Sequence, residues 1–152
     1  MKKMFRNYAF AAVLSTCVVG CGLTLIQTAQ LSISICSAVI TSATAVWPAI
    51  EAMLPADKQA VATRDFNLAI LSLSTAESVV QDAITIGSTT DLLKQLQAVD
   101  DAITKLVTLV NNFKALAAAT SGASPQIDAA VEVLHSRAAS AIARNQSIRA
   151  RL

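Results

Sequence analysis

Residues 92–117 read LLKQLQAVDDAITKLVTLVNNFKALA, and this stretch decides the fold of the chain. Its apolar residues recur at alternating intervals of four and three without a break. Such a seam marks one face of a long α-helix that packs along its length against other helices. We interpret it as the core seam of a helix bundle in preference to an oligomeric coiled coil. The seam positions are Leu92, Leu96, Val99, Ile103, Leu106, Val110, Phe113 and Ala117.

A second helix follows this stretch. Ser124 and Pro125 have the residue types of an N-cap and a first helical position. The seam then continues as Ile127, Val131, Leu134, Ala138, Ala141, Asn145, Ile148 and Leu152. Asn145 is its one polar position. It is interpreted either as part of a frayed helix end near solvent or as a polar core residue that fixes the register of the helices.

Another helix precedes the central stretch. Pro55 and Asp57 are typical of a helix start, and Gly87 is typical of a helix end. The main apolar stripe of this helix runs from Phe66 to Ile84. A second stripe lies on another side of the helix, which predicts either further neighbours inside the bundle or a partner surface. That stripe consists of Leu68, Leu71, Val79 and Ile86.

The segment from Gly22 to Ala49 contains no charged residue. Small and apolar residues follow a helical period along one face of it: Leu25, Ala29, Ser32, Cys36, Val39, Ala43, Val46 and Ile50. Small side chains let neighbouring helices approach closely, both in water and in lipid. We favour a buried bundle helix over a second membrane span, and we expect Pro48 to kink or end it.

The sequence thus predicts an all-α fold, an up-down-up-down antiparallel four-helix bundle after a cleaved N-terminal signal helix, because short links make sequential helices antiparallel. The predicted division is a signal peptide at 1–20 and a bundle domain at 21–152, with helices at about 23–47, 56–86, 90–119 and 125–150.

The first twenty residues have the pattern of a secretory signal. Lys2, Lys3 and Arg6 form a basic head, and an uncharged apolar run from Tyr8 to Gly20 follows. That run is shorter than the roughly 20 apolar residues that span a bilayer as a helix.

The signal ends in Val18-Val19-Gly20-Cys21. This box resembles the cleavage site of bacterial lipoproteins, in which a small residue precedes an invariant cysteine. The resemblance covers about the first 22 residues only. It implies diacylglycerol transfer to Cys21, cleavage after Gly20 and acylation of the new amine. Because Gly22 is not acidic, it also favours the outer membrane over the inner membrane. Thr16 fits poorly in a competing box that ends at Cys17.

The balance of basic and acidic residues indicates which classes of partner the protein can bind. Without Lys2, Lys3 and Arg6, nine basic residues remain against ten acidic ones, so a nucleic-acid role has no electrostatic basis. Basic residues gather in the last predicted helix, which ends at the same end of the bundle as Cys21. We therefore hypothesise that Arg144, Arg149 and Arg151 contact anionic headgroups beside the anchor.

The sequence contains only weak candidates for metal-binding or catalytic residues. Glu132 and His135 have the spacing of half a di-iron site, but the other ligands of such a site are missing from the sequence. Asp100 and Asp101 are adjacent, so their side chains point about 100° apart on a helix, and we expect a solvated face. Cys36 is expected to be a small buried hydrophobe. We predict no catalytic site, no metal and no cofactor apart from the covalent lipid on Cys21.

Together these patterns favour a lipid-anchored, non-enzymatic envelope protein, bacterial or phage-encoded, that acts as a structural or protein-interaction module. Its partners would be the lipid bilayer through Cys21 and a protein, and an oligomer is compatible with the pattern. One alternative is an integral membrane hairpin or a holin-like pore-forming protein with a helical soluble tail, since the uncharged run is long enough for two short spans. Another is a helical ligand-carrier bundle, which a large apolar pocket between the helices would favour.

Overall fold

The computed structural model describes residues 25–152, except for the side chains of Leu25, Ile26 and Thr28. The predicted signal peptide, Cys21 and the first predicted helical residues lie outside this range. Within it the chain forms four α-helices in an all-α fold, as predicted. They are α1 (Leu25–Met53), α2 (Ala56–Ile86), α3 (Thr89–Ser121) and α4 (Pro125–Arg149).

The links between helices are short, and their local chemistry explains where each helix stops. Gly87 ends α2 in the left-handed region with φ 74°, where a side chain would be strained. Its amide and that of Ser88 donate to the carbonyls of the last turn, in the hydrogen-bonding pattern of a Schellman cap. The Ser88 hydroxyl then accepts from the Asp91 amide at 3.2 Å and begins α3.

The prediction that α1 ends near residue 47 is wrong, because the helix continues through Pro48 to Met53. A proline in a helix removes the hydrogen bond to the carbonyl four residues earlier, here that of Thr44. Thr44 and Pro48 both lie on the exposed face of α1, so water can satisfy that carbonyl.

The four helices form a bundle with a diamond-shaped cross-section. Helix α1 packs against α2, α3 and α4, whereas α2 and α4 make no close backbone approach to each other within the described residues. The short diagonal therefore joins α1 and α3. The buried face of α1 explains this closeness, since it carries Ala29, Ser32, Cys36 and Ala43, each at most 2% exposed.

The core is built from the predicted seams. Seven of the eight α3 seam residues are buried, and Phe113 is half-buried. On α4 the seam residues from Ile127 to Ile148 are all buried. Leu96, Ile103, Leu106, Leu134 and Ile148 are among the largest side chains with no exposed surface.

The bundle has two ends that carry different parts of the chain. At the near end, α1 begins, α2 passes into α3 at Gly87, and α4 finishes. At the far end, the Ser121 hydroxyl donates to the Met53 carbonyl at 2.9 Å, which joins the end of α3 to the end of α1. Lys114 and Asp128 pair there at 2.6 Å between α3 and α4.

Candidate functional site

A buried polar cluster lies in the near half of the bundle. The Ser32 hydroxyl on α1 donates to the Asn145 side-chain oxygen on α4, and the Asn145 amide donates to Asp100 on α3 at 2.7 Å. Ser32, Asn145 and Asp100 are 1%, 0% and 5% exposed. One amide side chain thus joins the three helices by hydrogen bonds inside an otherwise apolar core.

Arg149 lies between this cluster and the solvent. Its guanidinium donates to the second Asp100 oxygen at 2.5 Å and also to the Gln97 side-chain oxygen. Burial raises the pKa of the Asp100 carboxyl above its ordinary value, while the hydrogen bond from Asn145 and the charge of Arg149 act in the opposite direction. The proximity of Asp101 raises it further.

One expectation from the sequence is wrong: Asp100 does not lie on a solvated face, although its neighbour Asp101 does. Of the two interpretations of Asn145, the structure supports the polar core residue, because Asn145 is fully buried. Asp100 directly follows the seam residue Val99, and Arg149 directly follows Ile148. A position beside a seam residue marks each of them as a candidate for partial burial, but it does not indicate that the two side chains pair.

The three arginines proposed as headgroup contacts have different environments. Arg149 forms an ion pair with Asp100, and its side chain is 22% exposed. Arg144 is half-exposed and Arg151 is exposed, and neither forms an ion pair with another described residue. Arg137, on the same face of α4, donates to the Ala38 carbonyl at 3.2 Å and to Ser42, so it links α4 to α1.

A surface groove runs between α2 and α3. It has a volume of about 570 Å³ and is open to solvent. Leu68 and Leu71, 57% and 61% exposed, stand on its α2 side, and Asp101 and Lys105 stand on its α3 side. A smaller groove of about 330 Å³ continues along α3 from Lys105 to Phe113. The second apolar stripe of α2 therefore faces outwards and is a candidate partner surface.

The remaining residues singled out from the sequence have ordinary structural partners. The His135 ring lies 3.0 Å from the Asn111 side-chain oxygen and 3.9 Å from Glu132. Among residues 25–152 no group of three or more metal-binding side chains is found. Cys36 is buried, and burial raises the pKa of its thiol to about 12, with contributions from Glu77 and Asp100.

One helix in the described range is long and apolar enough to cross a membrane by length and composition. It is the Ala29–Met53 part of α1, with a mean hydropathy of 1.7. An apolar helix near the N-terminus fits association with the cell envelope, either as a signal or as a membrane anchor. In the bundle, however, its face from Ala29 to Ile50 is covered by the other three helices.

Comparisons with protein-family models, with curated proteins and with solved structures find no match to this chain.

Proposed function

We propose that this protein is a lipid-anchored, non-enzymatic component of the bacterial cell envelope that acts by binding another protein. The observation that carries this proposal is the box Val18-Val19-Gly20-Cys21 behind a basic head and a short apolar run. Diacylglycerol on Cys21 and acylation of its amine would give two or three acyl chains, enough for stable anchoring. Gly22 favours the outer membrane.

The bundle geometry supports this arrangement. The described part of α1 starts at Leu25, four residues after Cys21 in the sequence, so the near end of the bundle would face the bilayer. Helix α3, with 33 residues, is about 50 Å long at 1.5 Å per residue, so the far end would project well away from the membrane. The groove between α2 and α3 would lie on the side of this rod, accessible to a protein partner.

The test of the anchor is the intact mass of the membrane-extracted protein, compared with a Cys21→Ala variant. We expect loss of residues 1–20 and the added mass of acyl chains, both abolished in the variant. A full-length mass without lipid would reject the anchor.

The test of the partner surface is site-specific photo-crosslinking in cells. A crosslinker at Leu68, in the groove, is expected to form a discrete adduct. The matched control is Val133 on α4, which is 48% exposed and lies outside the groove. Equal crosslinking at both positions, or none at Leu68, would reject the groove as the partner surface.

A second candidate function is supported by the apolarity of Ala29–Met53. If α1 left the bundle, it could form a membrane hairpin with the preceding apolar run and permeabilise the bilayer. Release of a dye from vesicles by the purified protein would support this candidate. The ligand-carrier alternative receives less support, because the 570 Å³ groove is open and lies outside the four-helix core.

A further inference from the structure

The near end of the bundle combines an exposed apolar side chain with basic side chains that form no ion pair with any residue from 25 to 152. Ile86, the last residue of α2, is 78% exposed, more than any other large apolar residue described. It stands beside Gly87 at the tip of the α2–α3 turn. Arg151 is exposed just past the end of α4, and Arg144 lies two helical turns earlier on the same face.

These residues occupy opposite corners of the bundle end. Helices α2 and α4 both pack against α1 but not against each other, so they flank α1 on either side. The described start of α1, at Leu25, lies between the two corners. At 3.3–3.6 Å per residue, the four residues from Cys21 to Leu25 span at most about 14 Å.

From this arrangement we propose that the near end of the bundle docks on an anionic lipid surface. Ile86 enters the interface on one side of the tether, and Arg151 and Arg144 contact lipid phosphates on the other. The bundle is then held upright on the membrane by three contacts: the lipid on Cys21, the Ile86 side chain and the two arginines. The lipid anchor alone would leave it free to tilt. This inference rests on the proposed lipidation of Cys21.

The charges at this end decide which lipids it prefers. Arg149 is neutralised by Asp100 at 2.5 Å and contributes little. On the α2–α3 side, exposed Asp82 and Asp91 outnumber exposed Lys94, so the preference for anionic lipid comes from the α4 corner. Arg151 lies nearer the bundle end than Arg144 and makes the larger contribution. Each arginine is expected to change the docked-to-free ratio by up to about fivefold, equivalent to about 1 kcal/mol.

The experiment uses the mature lipidated protein in vesicles that contain phosphatidylglycerol and nitroxide-labelled lipid. A fluorophore is attached at Thr85→Cys near the tip or, as the matched control, at Ala60→Cys. Both positions are exposed on α2 and lie about 37 Å apart along the helix. Cys36 stays unlabelled because it is buried and its thiol pKa is about 12. Intact mass before labelling reports the acyl chains.

Docking predicts strong quenching by the nitroxide lipid at residue 85 and little at residue 60. Ile86→Gln, and Arg144→Gln combined with Arg151→Gln, should each reduce quenching at residue 85. Replacement of phosphatidylglycerol by phosphatidylcholine should do the same. Arg64→Gln at the far end is the charge control and should have no effect.

Equal, weak quenching at both positions on a protein whose mass shows the lipid would overturn the docking and leave the anchor in place. Quenching at residue 85 that is insensitive to the Ile86 and arginine variants would overturn the contact made by these residues. A mass without acyl chains would remove the docking together with the anchor on which it rests.

Discussion

The two halves of the bundle are held together by different chemistry. The far half is filled by aromatic rings: Trp47 stacks on Phe66 with centroids 4.2 Å apart, and Phe113 meets Trp47 edge-on at 5.6 Å. The near half contains the Ser32–Asn145–Asp100 cluster among large buried aliphatic side chains, such as Leu96 and Ile148, and the small side chains of α1. Aromatic packing contributes stability mainly through buried area and dispersion, whereas the groups of a buried hydrogen-bonded cluster lose their partners when the helices shift register.

This contrast suggests a division of roles. The aromatic cluster of the far half is expected to act mainly through stability, and the polar cluster of the near half is expected to fix how α1, α3 and α4 align. Under the proposed anchoring, alignment matters most at the near end, because that end would face the lipid-modified Cys21.

Removing an aromatic ring from the far half should have the largest effect. Phe66 is 3% exposed and stacked on Trp47, so Phe66→Ala is expected to lower the free energy of unfolding by about 3–5 kcal/mol. Urea denaturation measures this change. Leu68→Ala, two residues away on the exposed face, should cost less than about 1 kcal/mol. Similar costs for both would mean that the aromatic cluster is not a stability centre.

Disruption of the Ser32–Asn145–Asp100 cluster should cause the second-largest loss of stability. Asn145→Ala leaves the Ser32 hydroxyl and one Asp100 oxygen buried without their partner, and the expected cost is about 2–3 kcal/mol. Asn112→Ala, an exposed asparagine on α3, is the control and should be nearly neutral. A double-mutant cycle with Ser32→Ala should show coupling. Additive costs would argue against a linked cluster.

Arg149, which pairs with Asp100, should contribute more to the free energy of unfolding than Arg144, which forms no ion pair with a described residue. Arg149→Gln removes the ion pair to Asp100, at an expected cost of about 1–2 kcal/mol. Arg144→Gln on the same helix should change stability by less than about 0.5 kcal/mol. The comparison of the two midpoints in urea is the readout, and equal midpoints would contradict an intramolecular role for Arg149.

The smallest expected effect is a change in pH dependence. Because the folded-state pKa of Asp100 is raised, the folded protein binds more protons than the unfolded one between the ordinary pKa and the raised pKa. Its contribution to stability is therefore greatest at low pH and is lost as pH rises through the raised pKa. Wild type should gain stability relative to Asp100→Asn on acidification. A difference that does not vary with pH would contradict this.

The agreement between sequence and structure is closest where apolar spacing is regular. The α3 seam from Leu92 to Ala117 lies in the core because a side chain at each of these positions faces the same neighbours. The boundaries at Gly87 and Pro125 follow from local backbone chemistry. Pro48 was misjudged because its effect depends on whether the disrupted carbonyl faces water or the core.

The polar cluster could not be derived in the same way. Asp100 and Arg149 are 49 residues apart, and no local pattern pairs them. Burial of Asp100 depends on the register between α3 and α4, which a periodic pattern permits in several forms. The outward direction of Leu68 and Leu71 likewise depends on which stripe of α2 meets α1 and α3.

For residues 25–152 the sequence by itself determined the four helices, the limits of α2, α3 and α4 to within a few residues and the apolar faces that are buried, because these depend on spacing and on caps within a few residues along the chain. It also determined the lipoprotein resemblance of the first 22 residues. Only the tertiary structure decided the short α1–α3 diagonal, the Ser32–Asn145–Asp100–Arg149 cluster and the placement of Ile86 and Arg151 at one end. These features arise from side chains distant in sequence, and which of them meet is set by the packing of whole helices.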